Sequence, residues 1–258
     1  IFGSEISKRF SGSFDELGLE LFSLSAALFL FLAMLLALYM LSISNNDQTI
    51  DTDNAGGGSF DAIKNSLKIN EVRNIAFYVW IWTALMTIQW ITAINIVEDW
   101  SQNSEQRLRF FAIMEQVISP LTLIIQLFFT NLIIKKIGIK NILLSYGILF
   151  FIAFILYGLI PSIISVGVVT VFLRVFEYGI NKPTRETIFS TFKKNDRYKS
   201  TVFIDTFISR FGDLSGSGFI AIGKLTSIAA NSLPLIAIPI AGFLSILGIR
   251  ISRNINTK

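Results

Sequence analysis

Residues 21–41 read LFSLSAALFLFLAMLLALYML, an apolar stretch without a single charged side chain. The hydrocarbon core of a bilayer is about 30 Å thick, and about 20 apolar helical residues are needed to cross it. Further apolar runs follow near residues 75–97, 109–134, 142–160, 162–179, 201–223 and 233–249. A buried helix of a soluble protein explains one such run. Seven in one chain predict an all-α protein that crosses the membrane several times.

The composition agrees with a membrane protein and excludes several kinds of chemistry. Charged residues make up 16% of the 258 residues, whereas they make up about 25% of an ordinary soluble domain. The chain has no cysteine and no histidine, so cysteine nucleophiles, disulfides, imidazole bases and Cys/His metal sites are excluded. We therefore expect neither a metal nor a cofactor, and proton or ion chemistry must use other side chains.

The uneven spacing of the runs divides the chain into three segments. Residues 1–42 contain the first run, residues 43–72 form a hydrophilic linker, and residues 73–258 contain the other six runs. Acidic residues precede the first run and no small-residue cleavage site follows it, so we do not interpret it as a signal peptide. Because the sequence starts with Ile1 rather than Met, we expect an N-terminal part of the protein to precede it.

Basic residues alternate between the connections that join the runs. If each run crosses the membrane once, one set of alternate connections holds 15 Lys and Arg residues and the other holds 5. Short cytoplasmic loops collect basic residues, so the linker, the segment 180–200 and the C-terminus are predicted to be cytoplasmic. This alternation explains the net charge of +4 without a nucleic-acid partner. The tyrosines near run ends are interpreted as interfacial belt residues, among them Tyr78, Tyr146 and Tyr157.

One helix, a linker and six further helices are the layout expected of a twelve-helix major facilitator cut just before its sixth helix. Residues 131–140 (NLIIKKIGIK) lie where major facilitators repeat a Gly-x-x-x-Asp-Arg-x-Gly-Arg-Lys turn, and Lys136, Gly138 and Lys140 match it. An ordinary basic hairpin explains this stretch equally well. The layout predicts a C-terminal six-helix bundle of the major facilitator type with one preceding transmembrane helix. Its partners would be the lipid bilayer and the missing N-terminal six-helix half.

Residues 174–216 carry a more specific pattern, RVFEYGINKPTRETIFSTFKKNDRYKSTVFIDTFISRFGDLSG. It resembles the transporter family that includes the ATP/ADP translocases of intracellular bacteria and plastids, together with their facilitator-like bacterial relatives. The matching residues are Lys182-Pro183-Thr184-Arg185-Glu186, Phe189, Tyr198-Lys199, Phe203-Ile204-Asp205, Arg210 and Gly212-Asp213. The resemblance implies a transporter of the bacterial inner (plasma) membrane that exchanges nucleotides or a related anion. Its cytoplasmic motif comprises Lys182, Arg185, Glu186 and Lys199.

Charged residues inside the apolar runs are the candidate working parts, since an ionisable side chain in a bilayer normally faces a partner or a water-filled cavity. An arginine can clamp a phosphate or carboxylate with two hydrogen bonds, and a carboxylate can carry a proton. The predicted substrate or ion pathway comprises Arg210, Asp213, Glu115 and Gln89. A second group is predicted to form a cytoplasmic salt-bridge latch or to contact substrate: Arg174, Glu177 and Asp205.

Local patterns add expectations about packing. Gly212 and Gly216, together with Ser215, Ser217 and Gly218, give the sixth run a small-residue face for close helix contact. Pro183 is expected to begin a short helix along the membrane surface, where nearby basic residues either attract an anion or only establish topology. Gln89 either faces a central cavity or hydrogen-bonds to a neighbouring helix.

Three functions stay open at this point. They are nucleotide exchange, proton-coupled uptake of another small solute, and a non-transporting role in the membrane. The well-embedded groups are two arginines and four carboxylates, so this part of the chain offers no positive excess for a polyphosphate. The chain has no Gly-rich P-loop, and we do not expect an enzyme.

Overall fold

The computed structural model describes residues 16–44, 70–190, 200–229 and 232–256. Within these ranges every regular element is helical, which confirms the predicted all-α class. The α-helices are α1 (Glu16–Ser44), α2 (Asn70–Trp100), α3 (Ser104–Ile124), α4 (Thr130–Leu159), α5 (Ile163–Phe176), α6 (Lys182–Phe189), α7 (Ser209–Leu225) and α8 (Leu233–Asn256). Short π-helical segments join some of them: π1 (Ile125–Phe129), π2 (Glu177–Asn181) and π3 (Ile204–Ile208).

In the described part of the chain, four helical stretches are long and apolar enough to cross a membrane. They are Val72–Trp100, Ser104–Leu159, Ile163–Phe189 and Leu233–Ser252. Because Ser104–Leu159 covers both the third and the fourth run, these stretches account for five of the seven predicted runs. The chain therefore has the helices of a membrane-embedded protein.

The first and sixth runs are not among these four stretches. In α1 the described apolar part is the shorter stretch Ala27–Met40. The sixth run carries Asp205, Arg210 and Asp213 and several glycines, which lower its mean hydropathy. A membrane crossing is therefore supported for five of the seven runs, and for the other two it stays a prediction.

The stretch Ser104–Leu159 is divided at Gly138. A straight helix of its 56 residues would be about 84 Å long, far more than the ~30 Å core of a bilayer. Gly138 has φ 79° and ψ 152°, which is not helical. Glycine is the residue that adopts such angles without steric cost. The division falls between the third and fourth runs, at the glycine of the NLIIKKIGIK stretch.

The chain divides into two compact units. The smaller contains Ile1–Gly56 and Asn103–Gln116, and the larger contains Gly57–Gln102 and Val117–Lys258. In the smaller unit, the apolar side chains along Ala27–Met40 are exposed. The contacts described below all lie within the larger unit.

Glycines bring α7 into close contact with α2. A Cβ atom at Gly212 would lie 2.7 Å from the carbonyl oxygen of Trp80, and one at Gly216 would lie 2.5 Å from that of Ala84. Both distances are too short for any side chain, so the predicted small-residue packing is confirmed at Gly212 and Gly216. Ser217 is exposed instead, and a Cβ at Gly218 would meet nothing within 4 Å. Residue numbers rise together along the contact, and α2 and α7 are therefore parallel.

Other contacts show that α5 runs opposite to α2. Near one end of the unit, the Tyr78 hydroxyl lies 3.4 Å from Oδ1 of Asn181. Near the other end, Gln89 Nε2 donates to Thr170 Oγ1 at 3.1 Å. Residue numbers thus rise along α2 and fall along α5, as expected if the second and fifth runs cross in opposite directions.

The pair α4 and α8 is likewise antiparallel. A Cβ at Gly248 would meet Leu143 near one end, and a Cβ at Gly158 would meet Leu235 near the other. This agrees with the alternation predicted for the fourth and seventh runs. The directions of the helices therefore match those inferred from the basic residues.

Basic side chains gather at the end of the unit that contains Tyr78 and Leu143. The exposed basic residues there are Arg73, Lys140, Lys182 and Arg250. They lie in or next to the four segments predicted to be cytoplasmic: the linker, the connection between the third and fourth runs, the segment 180–200 and the C-terminal tail. One face of the helical unit is therefore basic, as the charge alternation predicted.

Three tyrosines that we interpreted as belt residues lie inside the unit instead. Tyr78, Tyr146 and Tyr157 are completely buried, so that interpretation is wrong. Their positions near run ends resemble those of belt residues, but their hydroxyls contact polar atoms of other helices. Large apolar side chains occupy the exterior, including Phe128, Phe172 and Leu214, which suits a surface in contact with lipid.

Candidate functional site

Glu177 and Arg185 form a buried ion pair where α5 continues through π2 into α6. Arg185 Nη2 lies 2.8 Å from Glu177 Oε1, and the two side chains are 8% and 2% exposed. Asn181 Nδ2 donates to the second carboxylate oxygen, Oε2, at 2.6 Å. An ion pair removed from water needs such additional hydrogen bonds to offset its lost hydration.

The pair lies deeper than we expected from the sequence. Pro183 does occupy the first turn of α6, but Thr184 and Arg185 are buried. The expectation of a short helix along the membrane surface is therefore wrong for Thr184 and Arg185, whereas Glu186 is exposed. Because Arg185 neutralises Glu177, it is also not one of the exposed basic residues that could attract an anion.

Aromatic residues of α2 and α4 enclose the ion pair. The guanidinium carbon of Arg185 lies 4.7 Å from the ring centroid of Trp82, a cation–π contact. The Tyr78 hydroxyl lies 3.4 Å from Oδ1 of Asn181, the residue that donates to Glu177. Tyr146 stacks on Phe176, one residue before Glu177, with ring centroids 5.4 Å apart. Arg185 Nε is buried and has no hydrogen-bond partner among the described residues.

Sequence reasoning missed these aromatic neighbours of the ion pair. Tyr78 and Trp82 are four residues apart and so share a face of α2. That spacing in the sequence could have predicted that the two rings lie side by side on one helix. It does not show which other helix the face contacts, because this depends on tertiary packing.

The segments π1 and π2 contact each other through side chains that bind backbone carbonyls. Gln126 Nε2 donates to the carbonyl of Tyr178 at 2.9 Å, and Thr130 Oγ1 donates to that of Gly179 at 2.6 Å. A Cβ at Gly179 would lie 2.9 Å from Cγ2 of Ile125, so glycine permits the approach. The two π segments are thus joined by hydrogen bonds and close packing.

Arg210 and Asp213 form a second ion pair, on α7. Arg210 Nη1 lies 3.2 Å from Asp213 Oδ2, and the side chains are 83% and 44% exposed. Thr87 of α2 donates to the other carboxylate oxygen, Oδ1, at 3.0 Å. The two residues share a helix face as predicted. The carboxylate is held by residues of two helices, whereas most of the Arg210 side chain is exposed.

The residues of the predicted latch are distributed differently. Glu177 pairs with Arg185 in this structure, and the guanidinium carbon of Arg174 lies 6.0 Å from the ring centroid of Trp90. Asp205 lies in π3 with its side chain exposed. A latch that joins Arg174, Glu177 and Asp205 stays a prediction.

Of the remaining predicted pathway residues, Gln89 is best defined. It is buried, and its Nε2 donates to Tyr157 Oη at 2.8 Å as well as to Thr170. Of the two roles predicted for Gln89, the structure contains the second, hydrogen bonding to a neighbouring helix. Glu115 is half-buried in the smaller unit, and its role in the pathway stays a prediction.

The four residues of the predicted cytoplasmic motif separate into three groups. Lys182 and Glu186 are exposed on α6, and Arg185 is buried in the ion pair. Lys199 lies outside the described residues. In the described ranges, no three carboxylates converge as the ligands of a metal ion would.

These features define a class of molecule: a helical membrane protein whose long helices contain π segments and ion pairs. No family model, no curated protein and no solved structure matches the chain.

Proposed function

We propose that the protein is a secondary active transporter of the major facilitator type that works by alternating access. One observation carries the proposal: two of the three described π segments in the long helices contain a carboxylate. Glu177 begins π2, and Asp205 lies in π3. π segments occur frequently at functional sites, and ionisable residues in membrane helices usually belong to a partner or a transport pathway.

In this proposal the two ion pairs have different tasks. Glu177 and Arg185, enclosed by aromatic rings, hold the ends of α2, α5 and α6 together in one state of the cycle. Arg210 receives the substrate, because its guanidinium is exposed and can bind an anionic group with two hydrogen bonds. The carboxylate of Asp213, which Thr87 orients, is displaced when the anion binds.

We infer that the substrate is a nucleotide or a related phosphorylated anion, transported by exchange across a bacterial inner membrane. The resemblance of residues 174–216 to the ATP/ADP translocase family supports this choice. The basic end of the larger unit would face the cytoplasm, because short cytoplasmic loops collect Lys and Arg. That orientation also places the C-terminus in the cytoplasm.

Proton-coupled uptake of a less charged solute is the second candidate. The observation that favours it is the charge balance of the two ion pairs, in which each guanidinium is already neutralised by a carboxylate. A polyphosphate would therefore meet no excess positive charge in them. A carboxylate released from its arginine could instead take up a proton.

Uptake of labelled ATP into proteoliposomes that contain the full-length protein tests both candidates. Exchange predicts uptake that requires internal ADP and is insensitive to a pH gradient. Uptake that depends on the gradient and not on internal ADP would replace exchange by proton coupling. If a panel of labelled anions and neutral solutes shows no uptake under either condition, the protein is not a transporter of these classes.

A further inference from the structure

A narrow groove of 220 Å³ opens between α2 and the helix that contains π3 and α7. Its lining residues are Arg73, Ala76, Phe77, Trp80, Ile208 and Phe211. Phe77 and Phe211 are 47% and 48% exposed, and their ring centroids lie 5.9 Å and 5.5 Å from that of Trp80. The lining of the groove is therefore largely aromatic and includes one basic residue, Arg73.

The polar atom of Trp80 does not face this groove. Trp80 Nε1 donates to Ser215 Oγ at 3.0 Å, so its hydrogen bond is already made with α7. The indole then offers only apolar ring surface to an occupant. Together with Phe77 and Phe211, it forms a wall suited to a hydrocarbon chain rather than to a polar ligand.

Arg73 lies at the mouth of the groove. It is the second residue of the membrane-length stretch Val72–Trp100, which places it at the depth of the lipid headgroups. Its side chain is exposed, and Nη2 donates to Oδ1 of Asn70 at 2.7 Å. Among the described residues the polar partner of Arg73 is the neutral Asn70, which orients its positive charge without neutralising it.

We propose that this groove binds an anionic phospholipid, with the phosphate at Arg73 and one acyl chain along Phe77, Trp80 and Phe211. Arg73 and Trp80 are seven residues apart, about 10 Å along the helix axis, so the apolar wall begins directly below the charge. Basic pockets between membrane helices suit anionic headgroups.

Quenching of tryptophan fluorescence by brominated phospholipids tests the proposal directly, because Trp80 lines the groove. The protein is reconstituted in bilayers with increasing fractions of brominated anionic or brominated zwitterionic lipid. The quenching that disappears in Trp80→Phe is assigned to the groove. We expect the anionic lipid to quench this component at about fivefold lower mole fraction, the effect of one basic residue near anionic lipid.

Two matched variants separate a site from general surface charge. Arg73→Gln should abolish the preference for anionic lipid, whereas Lys140→Gln, at the same basic end but outside the groove lining, should retain it. Circular dichroism verifies that both variants keep the helical fold. Equal quenching by the two lipids, equal effects of the two variants, or no quenching of the Trp80 component would each overturn the proposal. The last result would mean that protein covers the groove.

Discussion

Arg185 reaches back across a π turn to Glu177, and its guanidinium lies 2.8 Å from the carboxylate of that residue. The same guanidinium packs over the ring of Trp82 on α2. One buried charge therefore links two turns of its own helix to a neighbouring helix. In a membrane protein such a link is costly to break, because neither charge has water to replace its partner.

Glu177→Gln should lower the stability of the folded protein by about 3–5 kcal/mol, since it leaves Arg185 buried without a counter-charge. Unfolding in detergent, followed by circular dichroism, measures the change. Glu186→Gln is the matched control, because Glu186 is the exposed neighbour of Arg185 and its change should be close to zero. The double variant Glu177→Gln/Arg185→Met should recover part of the loss. If both single variants were equally stable, the ion pair would have no structural role.

Gly212→Ala and Gly216→Ala should each destabilise the contact between α2 and α7 by about 1–3 kcal/mol, because the new methyl group overpacks it. The nearest atoms include backbone carbonyls, which cannot rotate away. Gly218→Ala tests the same substitution on the same helix at a position where a Cβ meets nothing within 4 Å. The same unfolding assay should therefore show a loss for the first two variants and none for the third. A loss in Gly218→Ala as large as the others would contradict this interpretation.

Thr130→Val should loosen π2, because the carbonyl of Gly179 loses the hydroxyl that binds it at 2.6 Å. Hydrogen exchange followed by mass spectrometry should show faster exchange in a peptide that covers Glu177–Asn181. Thr187→Val serves as control, since the hydroxyl of Thr187 is exposed and binds only within its own helix, at the Pro183 carbonyl. Unchanged exchange in Thr130→Val would show that π2 does not depend on π1.

Gln89→Leu distinguishes a structural from a pathway role for this residue. Its two interhelical hydrogen bonds predict a stability loss of about 1 kcal/mol, since such bonds in membrane helices contribute about 0.6 kcal/mol each on average. If Gln89 acts only in packing, the transport rate per folded protein should stay near that of the wild type. A rate that falls to background while stability is retained would place Gln89 in the pathway.

Arg210→Ala should abolish transport while the protein still inserts and folds, because Arg210 is largely exposed and truncating it should disturb little packing. Uptake by proteoliposomes, normalised to the inserted protein, gives the measurement. Arg250→Ala provides an exposed arginine at the basic end of the unit as control. Uptake that is unchanged in Arg210→Ala would remove this residue from the proposed substrate site.

The helical class, the division near Gly138 and the small-residue face at Gly212 were all predictable, because they depend on local hydropathy and residue size. The alternation of helix direction was also predictable, since the distribution of basic residues between the connections indicates it without any knowledge of packing. The partner of Glu177 was not predictable in this way. Within an α-helix the expected partners lie three or four residues away, whereas the π turn and the length of the arginine side chain bring together residues eight apart.

The burial of three tyrosines was not predictable from the sequence either. Tyr78, Tyr146 and Tyr157 have the sequence positions of interfacial residues, yet the packing of α2, α4 and α5 encloses them. By itself, the sequence determined that this chain forms long apolar helices, which of them run in opposite directions and where the basic end lies, because each of these follows from the transfer of side chains between water and lipid. Only the tertiary structure decided which polar groups face one another inside the helices, because that depends on side-chain contacts between segments that are distant in the chain.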